Sequence, residues 1–278
     1  MHVSRRTLVA SMALVSLSVT TRLSWGQALK PTPSLNPTLS LHAALTKVTR
    51  LSILTDRLGR GHGQRVLDVW SSRSGKIIKD SSNEAKKLLQ DLANANLSGT
   101  SKAQFTKMAA GYEALLQASA AFTSTQKTDL AKFGHQADTL GTEVDQLSAQ
   151  LIKDLGKPVT QVLSATADLQ RLTQHLALHF MLSHAGTEQA EQQKLLTEGI
   201  SAFNTHLATL QAAPLKNAPI DQSLQLIGNQ WFLMAQALKS SEADTTTMEN
   251  VCTTSERTLE VLTDLYGHYE AALKTLIG

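Results

Sequence analysis

His175 and His179 stand four residues apart, and His184 follows about one helical turn later. Helix positions four apart share a face, so the two imidazoles can turn toward one transition-metal ion, with His184 as a further donor. No acid or cysteine at nearby spacing completes the set, and a chain with nine histidines produces such pairs by chance. The spacing nominates a metal site without completing one, and no cofactor is expected.

A second group is arranged by repetition. Arg50, Asp56 and Arg57 lie in one segment, and Asp168, Arg171, Gln174 and His175 lie at corresponding places in a later one. Such residues can line a polar pocket between helices, where guanidinium and carboxylate groups hold a small ligand by charge-assisted hydrogen bonds. The plainer alternative is that they are the solvated flanks of an apolar stripe. "GRGHG" at 59–63 follows a helical pattern and lacks the Gly-Lys-Ser/Thr of a phosphate loop, so it is expected to break or bend that helix. Trp70, Trp231 and Phe232 are expected in the core, and the single Cys252 as a small buried packer. No spacing nominates a nucleophile, a general base or paired carboxylates, so the protein is read as non-enzymatic.

The elements that must position these groups have helical periodicity. Leu41, Ala44, Val48, Leu51, Leu54 and Leu58 recur at intervals of three and four. Ser81-x-x-Glu84 and Ser101-x-x-Gln104 have capping-box form and predict helix starts near 82 and 102; a fourth helix is predicted from about 125 to 156. The pattern then begins again at Pro158, with the preceding helix either ending or running on, kinked. Shifted by 118 positions, Leu41, Leu51, Leu54 and Leu58 fall on Val159, Leu169, Leu172 and Leu176, while Tyr112 and Trp231 correspond at 119. Further helices are predicted over 187–212, 220–240 and 246–276, the last opened by Thr246-x-x-Glu249. Short links imply antiparallel neighbours. The expected fold is all-α, two tandem four-helix up-down bundle units over 38–156 and 157–278.

Ahead of the bundles, Arg5 and Arg6 precede the short apolar run "LVASMALVSLSV", and small residues follow at Gly26 and Ala28. At about 13 residues the run is too short to span a bilayer, which needs about 20. Residues 1–28 are expected to be a cleaved export signal, cut after Ala28 or else Gly26, with a Pro-rich leader over 29–37. Ser4-Arg5-Arg6-Thr7-Leu8-Val9 resembles the twin-arginine export motif; an ordinary secretory signal is the alternative. Three of the 26 basic residues and none of the 23 acidic ones lie in 1–28, so the mature chain is neutral and offers no footprint for nucleic acid. The expected location is periplasmic, the chain soluble after cleavage.

"TRLSILTDRLGR" (49–60) and "ADLQRLTQHLAL" (167–178) resemble degenerate copies of the signature in the PilJ-type sensor domain of type IV pilus methyl-accepting chemotaxis transducers. The periplasmic domain of nitrate/nitrite sensor kinases carries a similar segment. The matched residues are Leu54-Thr55-Asp56-Arg57 and Leu172-Thr173-Gln174-His175. The resemblance implies an extracytoplasmic helical bundle that binds a small molecule or a partner and passes on a helix shift. The nitrate-binding arginine of those sensors is replaced by Ser52 and Gln170, neither of which supplies its charge, so nitrate binding is not implied. A chain without a transmembrane helix after its signal needs a membrane-bound sensor, transporter or pilus-associated partner, and a homodimer is compatible with the pattern. The expected function is thus a non-catalytic ligand-binding or sensory accessory; the alternative is a periplasmic metal or cofactor carrier.

Overall fold

Burial follows the predicted stripe: Ala44, Val48, Leu51, Leu54 and Leu58 are each at most 2% exposed. The computed structural model describes residues 37–123, 125–156, 159–186, 188–240 and 244–277. The signal at 1–28 with its cleavage site, the leader up to residue 36, and Pro158 lie outside the described residues. Those described form α1 (Pro37–Val66), α2 (Ser71–Ala93), α3 (Gly99–Ala121), α4 (Lys127–Leu155), α5 (Gln161–His184), α6 (Gln189–Ala212), α7 (Ala218–Leu238) and α8 (Thr245–Ile277), with no strand among them. No described helix is long and apolar enough to cross a membrane.

The fold is all-α, with two four-helix bundles in tandem. In the first, α1 packs on α2 and α4, and α3 on α4; in the second, α5 packs on α6 and α8, and α7 on α8. Each bundle has its own apolar core, and a third cluster of Leu130, Ala137, Leu178, Leu182 and Ala185 lies on the α4–α5 side. The bundles are joined chiefly through α1 against α5. Both helices are therefore enclosed almost all round: residues 51–64 are buried except Arg57, and residues 172–182 except His175. The two exceptions are counterparts at the offset of 118.

"GRGHG" does not break α1, which runs straight through it to Val66. Its glycines serve close approach instead. A Cβ on Gly63 would lie 2.8 Å from Met181 Cβ, and one on Gly59 would lie 2.9 Å from Leu178 Cδ1. Gly61 faces the other way, its Cβ position 2.8 Å from Ile78 on α2.

Other boundaries differ from the periodicity reading for local reasons. The second helix begins at Ser71, not near 82, after a tight turn in which Asp68 and Trp70 hold positive φ. Ser81 is consequently mid-helix, where its hydroxyl accepts from Arg57 at 3.2 Å. The third begins at Gly99, with the Ser98 hydroxyl accepting from the Ser101 N–H at 3.2 Å, while the Ser101 hydroxyl donates to Asp154. Gly156 adopts φ 62° after α4, a left-handed cap that ends the helix before Pro158 and excludes a continuous kinked rod. Trp231 is a core anchor, stacked on Phe203 at 3.7 Å between ring centres, and Cys252 is buried in the same core. Phe232 is not: it is 61% exposed on the outer side of α7. Trp70 is half-buried beneath the Arg73 guanidinium.

His62 is buried on α1 between the rings of Phe122 and Phe133, with Nε2 2.9 Å from the Ser119 hydroxyl. Burial, reinforced by the positive charge of Arg65, pulls its pKa down from 6.5 to about 4. The unfolded chain thus takes up this proton near pH 6.5 and the folded chain only near 4. Stability from this group is complete above 6.5 and falls by up to about 1.4 kcal/mol per pH unit across that interval as pH drops. Urea titrations at pH 7 and pH 5 are expected to show a smaller acid loss in His62→Gln than in the wild type.

The glycine contacts give a second prediction. Alanine in a helix interior gains about 1 kcal/mol over glycine, while overpacking costs about 1–3 kcal/mol. At Gly59 the obstructing atom is the end of a leucine side chain, which can swing aside; at Gly63 it is a Cβ, which moves only with its backbone. Gly59→Ala is expected to be near neutral and Gly63→Ala to lose about 1–2 kcal/mol, as measured by chemical denaturation.

Candidate functional site

Because α1 and α5 are enclosed, polar side chains on them must find partners or line internal space. They do both, in two clefts on opposite sides of the α1–α5 contact. The larger, ≈ 780 Å³, lies among α1, α2, α5 and α8; its walls include Arg50, Arg57, Glu84, Gln170, Glu256 and Glu260. The smaller, ≈ 320 Å³, lies among α1, α4, α5 and α6 and includes Ser52, Asp56, Asp138, Asp145, Arg171 and His175.

The clefts are related by the internal repeat. Adding 118 to Ser52, Asp138, Thr142 and Asp145 of the smaller cleft gives Gln170, Glu256, Glu260 and Thr263 of the larger; subtracting it from Arg171 and His175 gives Ile53 and Arg57. In each, a basic residue from the first helix of one bundle faces an acid from the last helix of the other. Arg57 faces Glu256 in the larger cleft, and His175 with its neighbour His179 faces Asp138 in the smaller.

The two versions differ in the permanence of their charge. Glu256 receives Arg57 on both oxygens, Nε at 2.9 Å and Nη2 at 2.7 Å, and also accepts from the fully buried Arg60. Burial would raise the Glu256 carboxyl, but the Arg60 and Arg57 guanidinium groups outweigh it and hold the acid below the usual glutamate range. Arg50 makes a similar bidentate pair with Glu84, at 2.6 and 2.9 Å. In the smaller cleft the bases are imidazoles. The His179 Nδ1 is 2.6 Å from Gln192 Oε1, its buried Nε2 is 3.6 Å from Asp138, and His175 Nδ1 is 3.5 Å from Asp56. The two rings meet edge-on at 4.1 Å.

The candidate residues named from the sequence therefore separate. Arg50 and Arg57 border the larger cleft; Asp56, Arg171 and His175 border the smaller. Gln174 faces neither, donating instead to the Ser255 carbonyl at 3.2 Å inside the second bundle. Asp168 stands 3.9 Å from His206, away from both clefts, and its carboxyl is raised by burial against the opposing pull of His206 and Arg171. His184 does not join the other two histidines: its Nδ1 is 2.9 Å from the Phe180 carbonyl, and its ring lies on Phe180. The acids that complete both sets, Asp138 and Glu256, come from α4 and α8 and escaped notice because they are remote in sequence. The repeat offset was the signal that links them.

Comparison with protein-family models, with curated proteins and with solved structures finds no match to this chain.

Removing the Glu256 charge leaves Arg60 buried without its counterion, the situation in which breaking an ion pair costs about 3–5 kcal/mol. Glu256→Gln is expected to lose about 3 kcal/mol in denaturant titrations. Asp138→Asn, at a side chain 40% exposed, is expected to lose under about 1 kcal/mol.

Proposed function

We propose that this is an exported, non-catalytic binding protein of the sensory or accessory kind, and that the larger cleft holds its small organic ligand. The observation that carries the reading is that this cleft is walled by both bundles at once. A ligand bound there touches α1 and α2 of one bundle and α5 and α8 of the other, and so biases how the two pack. Packed helices respond to such a bias by small shear displacements. The resemblance of 49–60 and 167–178 to the PilJ-type segment supports the same role, since the first contributes Thr49, Arg50, Ile53 and Arg57 to the wall of the cleft and the second contributes Gln170.

The lining favours a ligand with a positive charge. Glu84, Glu256, Glu260 and Asp264 outnumber Arg50 and Arg57, and both guanidinium groups are engaged by Glu84 and Glu256. That leaves Glu260 and Asp264 to receive an ammonium group, with Ile53, Leu259 and Tyr266 beside an apolar body. The ligand-dependent packing is then read by a membrane-bound sensor, transporter or pilus-associated protein.

The check is thermal denaturation of the purified mature chain with a panel of amino acids, primary amines, polyamines and small anions. A ligand at a hundredfold its Kd stabilises by about 2.7 kcal/mol, or roughly 5–10 °C in Tm for a protein of this size. At least one amine is expected to give such a shift, abolished in Glu260→Gln/Asp264→Asn. No shift from any compound, a shift from anions alone, or an amine shift that survives the double variant defeats the reading.

A further inference from the structure

The smaller cleft carries an inference that stands apart from the organic ligand of the larger one. We infer that Asp138, His175 and His179 form a site for a divalent transition-metal ion of the zinc, nickel or copper type, with an open position toward the ≈ 320 Å³ cleft.

The donors converge from two helices. One ligand atom from each of Asp138 on α4 and His175 and His179 on α5 lies within 4.8 Å of the others. Tetrahedral zinc with bonds of about 2.1 Å holds its ligands about 3.4 Å apart, and the His179 Nε2 to Asp138 distance of 3.6 Å is already near that. The remaining contraction is within reach of side-chain rotation, because His175 and Asp138 are only half-buried.

An outer partner orients His179 as metal-bound histidines are oriented, and an acid stands near the same nitrogen of His175. Gln192 Oε1 stands where it accepts the Nδ1 proton of His179, so that in the neutral ring Nε2 carries the lone pair. That Nε2 is fully buried, has no hydrogen-bond partner, and is turned to the Asp138 carboxylate. Two acceptors held this way repel unless a proton or a metal ion lies between them. Asp56 is the corresponding neighbour of His175, its carboxylate at the longer distance of 3.5 Å from Nδ1. Two imidazoles and one carboxylate select a borderline transition metal over calcium or magnesium, and three protein ligands with a fourth position open is a familiar zinc arrangement.

The related cleft shows what the acid requires. There the counterpart of Asp138 is Glu256, and the positive charge facing it is supplied by Arg57 and Arg60. At the places of Arg57 and Arg60 the second repeat has His175 and Leu178, with His179 next in sequence. A built-in cation is thus replaced by neutral donors, which can take an exchangeable one.

The test titrates Zn²⁺ and Co²⁺ into the tag-free mature chain, with calorimetry for affinity and stoichiometry and the visible absorption of Co²⁺ for geometry. One equivalent is expected to bind, with a tetrahedral or five-coordinate Co²⁺ spectrum. His175→Ala and Asp138→Asn are each expected to weaken binding by about tenfold or more, and His184→Ala to leave it unchanged. His179→Ala removes a buried side chain, so Asp138→Asn, at a part-exposed position, decides the matter should that variant not fold. Absence of binding means that a proton alone bridges His179 and Asp138 and overturns the inference, as does binding unaltered in Asp138→Asn and His175→Ala. Neither result bears on an amine-induced thermal shift that depends on Glu260 and Asp264.

Discussion

The close passage of α1 over α5 is the constraint on which the rest of the molecule depends. Gly63 lets the α1 backbone approach until only the Met181 Cβ separates the helices, and Gly59 accommodates Leu178 nearby. A helix enclosed on every side loses the solvent that would otherwise satisfy its polar groups. Each polar side chain on the two central helices must then be met from a neighbouring helix, at a cost of about 1–3 kcal/mol wherever the match fails. Tyr112 reaches across from α3 to donate to the Leu51 carbonyl at 2.6 Å, and Thr55 donates to the tyrosine oxygen. The same demand brings Glu256, Glu84 and Asp138 to their basic partners.

From this follows the contrast between the two sides. Where guanidinium groups meet the acid, the charge is fixed and the contact acts as a clamp between α1 and α8. Where imidazoles meet it, the charge is conditional, and the acid is left dependent on a proton or another cation. One architecture therefore offers a rigid edge and a responsive edge to the same pair of helices.

Much of this was legible in the sequence, for identifiable reasons. The three-and-four stripe of α1, the repeat at 118 and the glycine end of α4 are local signals, and their physics survives into the fold. The start of α2 was not legible, because the turn before it rests on positive φ at Trp70 as well as Asp68, and a tryptophan gives no turn signal, while Ser81-x-x-Glu84 imitates a cap within a helix. Closely spaced glycines read as a break because a sequence cannot distinguish a weak helix from one pressed against a neighbour; the bulk that presses on them is the facing "ALHFM" at 177–181 of α5. Phe232 failed for the opposite reason, since hydrophobicity alone does not say which side of α7 faces out. Residues of the clefts were recognised on α1 and α5 but not on α4 or α8, because Glu256 lies 196 and 199 residues from its arginines and Asp138 lies on a different helix from His179.

The offset that relates the clefts also relates Gly63 to Met181, which face each other between the central helices. Residue 57 of the first bundle meets the counterpart of 138 in the second, the counterpart of 57 meets 138 itself, and residue 63 meets its own counterpart. Such reciprocity, with one position touching itself, is the mark of an isologous two-fold interface. The chain thus contains in a single covalent strand the arrangement that two copies of one bundle would make around an axis through Gly63. A true two-fold pair would be obliged to place glycine against glycine or methionine against methionine there. Joining the halves releases them from that obligation, and the knob of Met181 in the hollow of Gly63 is a fit open only to partners free to be different.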